Sequence, residues 1–394
     1  MQIAYTPEQE KLRGELREYF AQLMTPDVVD EMSHPERGEY GGSDIYKRLV
    51  RQMGHDGWLG IGWPKEYGGQ GRSMLDQLLF ADAAATAGAP VPFLTISTVG
   101  PTIMHYGTDE QKERFLPGIL RGEIHFSIGY SEPGAGTDLA SLTTKAVRDG
   151  DEYLVNGQKM WTSLIQYADY VWLACRTNPE APKHKGISVL LLPTDSPGFK
   201  YNLVHTVGGG TTSATFYEDV RVPAANLVGQ ENEGWKLVTN QLNRERVALC
   251  SAAGVTHLLN EVRHWAQQTT LPDGRRVIDQ EWVQLSLARV HAKVEYLKLI
   301  NWKIAWGVSA GLGPADASAT KVFGTEFYIE AYRSMMEILG QEAYLQAGTP
   351  GALLRARLER LYRGTIVLTF GGGTNEVQRD IVAMVGLGMP RAAR

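Results

Sequence analysis

The hydrophobic pattern changes period twice along the chain, and that double switch limits the folds open to it. In the first stretch apolar side chains recur at helical spacing, as at Leu12, Leu16, Tyr19, Phe20 and Leu23. Near residue 123 the spacing becomes alternating at Phe126, Ile128 and Tyr130, and short β-prone runs follow at 170–173, 187–192 and 214–217. From Gly234 the chain reads as helical again, to about residue 390. Helices, then strands, then helices predict an α+β molecule. Its parts are an N-terminal helical domain (1–122), a middle β-barrel or sandwich (123–232) and a C-terminal helical bundle (233–394). A chain of 394 residues suits two or three such units.

Local signals sharpen the outline. Thr6-Pro7-Glu8-Gln9 and Thr108-Asp109-Glu110-Gln111 are capping signatures that start helices. An Ala-rich helix is predicted over 74–87, after a Gly-rich stretch at 57–73. Asp149-Gly150 and Asn156-Gly157 are each expected to close a hairpin. Leu271-Pro272-Asp273-Gly274 interrupts the second helical region.

Thirty-nine basic against forty-four acidic residues give a net charge of −5, which argues against a nucleic-acid or anionic-membrane binder. Cys175 and Cys250 form no CxxC pair, so neither a structural zinc nor a disulfide framework is expected, and a reducing cytoplasm fits. There is no signal-peptide-like apolar run at the start and no stretch of 18 consecutive apolar residues to span a membrane.

Four features could carry chemistry. Trp235, Val238, Leu242, Glu245 and Leu249 form one helical stripe in which only Glu245 is charged. Its neighbours at three and four residues (Gln241, Leu242, Ala248, Leu249) include no cation. A carboxylate in such surroundings becomes a stronger base; the other reading is a Glu paired with a distant Arg or Lys. The second feature is Tyr130-Ser131-Glu132-Pro133-Gly134-Ala135-Gly136-Thr137-Asp138, where glycines admit a ligand close to the backbone and hydroxyls add donors. An ordinary turn would look similar. Third, Trp161-Thr162-Ser163 ends a β-prone run and could flank a flat ring, although a Trp there also suits a core. Fourth, Phe370-Gly371-Gly372-Gly373-Thr374-Asn375-Glu376 leads into a helix, a setting for anions or dinucleotides that also occurs without ligands. No G-x-G-x-x-G fingerprint on a strand–helix unit supports a Rossmann NAD enzyme.

Taken together, YSEPGAGTD, NGQKMWTS, TTSATFYEDVRVPAANLVGQENEGW and GGGTNEVQRDIVA resemble the acyl-CoA dehydrogenase family, in family order and over nearly the whole chain. The resemblance implies the acyl-CoA dehydrogenase fold with a C-terminal four-helix bundle. It also implies FAD, and desaturation of an acyl-CoA thioester between Cα and Cβ, with a carboxylate taking the α-proton and hydride passing to flavin N5. It assigns Tyr130, Ser131, Gly136, Thr137, Trp161, Thr162, Ser163, Thr374 and Glu376 to the cofactor. Thr137, Arg246 and Gly372 fall on the substrate side. Many members carry the base in a C-terminal Tyr-Glu-Gly-Thr string; here Gly372 stands in its place. A minority place it within a Glu-Arg pair on a central helix, which Glu245-Arg246 matches.

Two family motifs are altered. Asp273-Gly274-Arg275-Arg276-Val277-Ile278 lacks the Phe-Gly of the usual Arg-x-x-Phe-Gly, and Glu337-Ile338-Leu339-Gly340-Gln341-Glu342 lacks the usual Gly-Gly pair. In the family both reach a neighbour's cofactor. The resemblance is therefore strongest to the base-bearing subunit of actinobacterial α2β2 heterotetramers that act on steroid (cholesterol) side-chain CoA thioesters, with a homologous second subunit. An electron-transferring flavoprotein is the implied acceptor. The competing expectations are an acyl-CoA oxidase or flavin monooxygenase on the same fold, and a non-catalytic scaffold subunit.

Overall fold

A computed structural model describes residues 4–32, 42–248, 250–307 and 313–391; the side chains of residues 243–248, 314 and 355 lie outside that description. Helix α1 (Pro7–Leu23) starts where Thr6 and Gln9 exchange a capping box, and it buries Leu12, Leu16 and Phe20 at four-residue intervals. Helices α2 (Pro26–Met32), α3 (Ser43–His55), α4 (Met74–Ala87), α5 (Gly100–Tyr106) and α6 (Asp109–Leu120) complete the first region. Thr108 and Gln111 box the start of α6, and α4 stops at Gly88, whose φ of 72° suits glycine. A π-helical turn, Thr95–Val99, runs into α5. The Trp63 indole N–H donates to the Ile96 carbonyl in that turn at 2.9 Å.

The strands are β1 (Phe126–Gly129), β2 (Lys145–Asp149), β3 (Glu152–Met160), β4 (Tyr170–Arg176), β5 (Ile187–Pro193), β6 (Phe199–His205), β7 (Thr211–Pro223) and β8 (Leu227–Val228). Among the described residues they form one sheet in the order β6-β7-β3-β2-β4-β5-β8, with β1 parallel to β4. Alternation sets what each face buries. On β4 and β5, Val171, Leu173, Cys175, Leu190 and Leu192 join Tyr153, Tyr217 and Val220 in a core enclosed by the sheet itself. Trp172, Ala174, Val189 and Leu191 point the other way, into the core shared with α1, α3, α4 and α6. Asp149-Gly150 sits at the β2–β3 turn, with Gly150 at φ 60°. The expected second hairpin at Asn156-Gly157 is not one. Both residues lie inside β3, where the pairing with β7 shifts between Val155 and Gly157. Gly157 has φ 150°, and a Cβ there would come within 2.7 Å of Thr144 Cα. A strand bulge asks for the same freedom from glycine as a turn, and here the bulge took it.

The chain then returns to helices: α7 (Gly234–Ala248), α8 (Ala253–Gln268), α9 (Glu281–Gly307), α10 (Pro314–Leu339), α11 (Arg357–Thr365) and α12 (Asn375–Ile381). Helices α8, α9 and α10 bury a separate apolar core containing Val262, Val294, Phe327 and Met335. Helix α7 instead places Leu237 and Val238 in the core beneath the sheet, so it bridges the two bodies. The 271–274 loop turns at Gly274, φ 85°. No helix among the described residues is long and apolar enough to cross a membrane.

Candidate active site

A cleft of about 1660 Å³ opens where the three regions meet. Tyr130, Ser131, Gly136, Thr137, Trp161, Ser163, Gly372 and Thr374, drawn from strings more than two hundred residues apart, all line it. Leu94 and Ala85 contribute from the first helical region; Trp235, Thr239 and Leu242 contribute from α7. Two expected cofactor residues do not face the cleft. Thr162 is fully buried, with its N–H on the Ser213 carbonyl and its hydroxyl 3.3 Å from that of Thr215. Glu376 is exposed in the first turn of α12. The side chains of Glu245 and Arg246 lie outside the described residues. Their backbone belongs to α7, three and four positions beyond Leu242.

The loop 131–137 is held by a buried charge pair. Lys159 Nζ, wholly buried, donates to Glu132 Oε1 and to the Tyr130 carbonyl, both at 2.9 Å. The Glu132 carboxylate also accepts from Thr143 N at 2.7 Å, Thr143 Oγ1 at 2.8 Å and Thr144 N at 2.8 Å. Burial alone would raise its pKa, but the Lys159 charge and these donors overcome it and bring Glu132 down to about 2. The turn is fastened again by reciprocal backbone bonds between Glu132 and Ala135. The Tyr130 hydroxyl accepts from the Trp172 indole at 2.9 Å. A Cβ added at Gly134 or Gly136 would meet nothing within 4 Å, so this side of the loop faces open space.

Trp161 closes β3 with φ 67° and is 58 % exposed at the cleft. A bulky side chain in the left-handed region costs about 1–3 kcal/mol. The cost is borne where the indole is presented to a cavity rather than to the core, as a surface for a flat ring requires. Ser163, two residues on, hydrogen-bonds Thr212 between hydroxyls at 3.1 Å.

The opposite wall is the 370–374 loop. Gly372 and Gly373 have φ 70° and 95°. Thr374 caps α12 by accepting from Val377 N at 3.3 Å. Buried Lys321 on α10 reaches up to this loop and donates to the Gly373 carbonyl at 2.8 Å and to Asn375 Oδ1 at 2.7 Å. Asn375 in turn donates to Thr325 Oγ1 at 3.1 Å. Neither buried lysine had been singled out from the sequence. The only trace of the first was that Glu132 and Lys159 sit in two of the recognisable strings. Also absent from the sequence expectations was the Gly-rich loop between β6 and β7. Its Gly208 backbone rests on that of Gly364 so closely that a Cβ would lie 3.0 Å from the Gly364 Cα. Arg363 donates to the Val207 carbonyl beside this contact and is paired with Glu359.

The two cysteines, both buried, offer no competing nucleophile. Burial pushes the thiols of Cys175 and Cys250 up to about 12, which leaves them protonated and inert.

Three family models cover the chain: acyl-CoA dehydrogenase N-terminal domain over residues 6–123, middle domain over 127–220 and C-terminal domain over 232–387. The chain belongs to the acyl-CoA dehydrogenase family. It is an oxidoreductase of the acyl-CoA dehydrogenase type, and the family implies a flavin. Acyl-CoA dehydrogenase FadE26 of Mycobacterium tuberculosis is 66% identical over 100% of both chains. FadE29 of the same organism is 47% identical, also over 100% of both. Among solved structures, the ChsE4-ChsE5 complex from Mycobacterium tuberculosis matches with TM-score 0.93 and 66% identity over 100% of both chains. The Tcur3481-Tcur3483 steroid ACAD matches with TM-score 0.92 and 50% identity, again over 100% of both. Such overlap agrees with an α+β fold in which the sheet region sits between two helical ones.

The residues present fit a flavin. A strained, exposed indole, an open glycine loop anchored by buried charge, and hydroxyls of Ser131, Thr137 and Ser163 offer a face, space and donors for a flat heterocycle.

Proposed function

We propose that this chain is the base-bearing subunit of an FAD-dependent acyl-CoA dehydrogenase that desaturates a steroid side-chain CoA thioester between Cα and Cβ. It falls into regions 1–122, 123–232 and 233–394 and works in the cytoplasm. The observation that carries the reading is that three distant strings converge on one cleft, with α7 running along it. Tyr130, Ser131, Gly136, Thr137, Trp161, Ser163 and Thr374 hold the cofactor; FAD, when bound, accepts the β-hydride. Gly372 leaves the family's commoner base position without a side chain. Glu245, on the turn of α7 after cleft-lining Leu242, takes the α-proton as a general base, and Arg246 lies towards the CoA moiety.

The substrate class and the heteromer rest on similarity to chains named as a steroid enzyme and as two-component complexes. They rest also on the altered loop at 273–278, where Arg275 and Arg276 are engaged by Asp273 and Asp279 of their own loop, each at 2.7 Å. A homologous second subunit completes the cofactor site in an α2β2 assembly, and an electron-transferring flavoprotein reoxidises it. The test is to co-express the chain with its partner, count FAD and add a steroid side-chain CoA thioester without oxygen. Half a flavin per chain, bleached by the thioester, is expected. Glu245→Gln in that complex should keep its FAD and lose dehydrogenation by orders of magnitude; near-normal turnover would remove Glu245 from the mechanism.

A further inference from the structure

Helix α7 is fastened to the first helical region one turn before residue 245. Gln241 is wholly buried, and its Nε2 donates to Thr98 Oγ1 at 3.3 Å. Thr98 is also wholly buried and sits in the π-helical turn. Other polar groups of the turn are engaged as well. The Thr98 hydroxyl donates to the Leu94 carbonyl at 2.5 Å, and the Thr98 carbonyl accepts from Thr102 Oγ1 at 2.7 Å. Thr95 Oγ1 accepts from Phe126 N at 3.0 Å, and the Ile96 carbonyl accepts from Trp63. A Cβ at the next residue, Gly100, would meet the Trp63 ring at 2.4 Å, so the indole seals the turn from below. Leu94, at its head, lines the cleft.

A π turn widens a helix by one residue and is frequent at functional sites. Here it brings a cleft-lining residue and a hydroxyl partner for α7 into one rigid unit. We propose that Gln241 is a positioning residue: its bond to Thr98 fixes the rotation of α7 at the turn before Glu245 and ties it to the wall that Leu94 gives the cleft. The inference rests on the reading of Glu245 as the base. General-base geometry is demanding, and a displacement of about 1 Å can cost about a hundredfold in rate. A buried amide–hydroxyl bond is a directional way to hold it.

The test uses the flavin-loaded enzyme in its assembled state and a steroid side-chain CoA thioester carrying deuterium or hydrogen at Cα. Gln241→Met and Thr98→Val are each expected to lower kcat about tenfold, leave KM within about twofold and raise the α-deuterium isotope effect. The losses should overlap in the double variant instead of adding, because both single changes break the Gln241–Thr98 bond. Thr98→Ser, which keeps the hydroxyl, should restore kcat and the isotope effect. Wild-type kcat in both single variants, additive losses in the double, or a Thr98→Ser as slow as Thr98→Val would overturn the proposal. If Gln241→Met does not fold, the Thr98→Val and Thr98→Ser pair decides alone. Glu245→Gln is run in parallel. If it turns over normally the base assignment fails, and the proposal with it. If it is inactive while both single variants match wild type, the positioning role alone is lost.

Discussion

The two glycine-rich loops that face each other across the cleft are both tethered from beneath by a buried lysine, but the tethers differ. Under 131–137, Lys159 meets a carboxylate that is itself saturated with donors. Under 370–374, the partners of Lys321 include the Gly373 carbonyl and the Asn375 amide oxygen. A charge pair in the interior is costly to break, because the survivor is left charged and dry. The Gly373 and Asn375 oxygens are neutral, and neither becomes a bare charge when the lysine is removed. The first loop is therefore locked in place. The second carries Gly372 and Gly373 at positive φ, where glycine is the residue that fits.

Lys159→Met is expected to give the largest effect, about 3–5 kcal/mol of stability, with loss of flavin retention. Adding Glu132→Gln should recover part of the stability, and thermal melts of the two variants measure this. The loss has a pH signature. Glu132 has a folded pKa of about 2, below the ordinary 4.5. Its contribution is therefore complete above about 4.5 and fades as pH falls towards 2. Denaturant titrations between pH 5 and 2 should show that decline in the wild type and a flatter curve in Lys159→Met/Glu132→Gln. Equal slopes would mean that the pair does not lock the loop.

Lys321→Met comes next, at about 1–3 kcal/mol, the scale for stranding buried acceptors. It should loosen flavin binding, measured by titrating the apoprotein.

The smallest contrast is between single methyl groups. Gly372→Ala forces a side chain to φ 70° and should cost about 1 kcal/mol. Gly136→Ala meets no atom within 4 Å in the protein and should change stability by less than about 0.5 kcal/mol. Its effect should appear instead as weaker flavin affinity, measured by titrating the apoprotein.

Much of the fold was legible because its signals are local. The capping boxes at Thr6 and Thr108 and the change of period near 123 each depend on residues within a few positions. The site was legible as strings, and most of the named residues do meet in one cleft. What was hidden depends on partners far apart in sequence. Lys159 and Lys321 look like surface lysines until the chain brings Glu132 or Asn375 to them. Trp161 gives no hint of its left-handed backbone, since a bulky residue is normally excluded from it. Thr162 was grouped with its neighbours, but the left-handed turn at Trp161 sends the chain off the strand, and Thr162 is buried against Ser213 and Thr215. Asn156-Gly157 failed because the dipeptide reports conformational freedom and not the use made of it.

The seam between Gly208 and Gly364 has a consequence for how such an enzyme can change. Two backbones in contact act as a gauge block, since the distance between the β6–β7 loop and α11 is set by the thickness of the main chain alone. A side chain at Gly208 starts out against Gly364 and acts as a shim between the two walls. The aperture of the cleft and its lining are therefore separate dials: position 208 resets the width, while Leu94, Leu242 and Trp235 reset the shape within it.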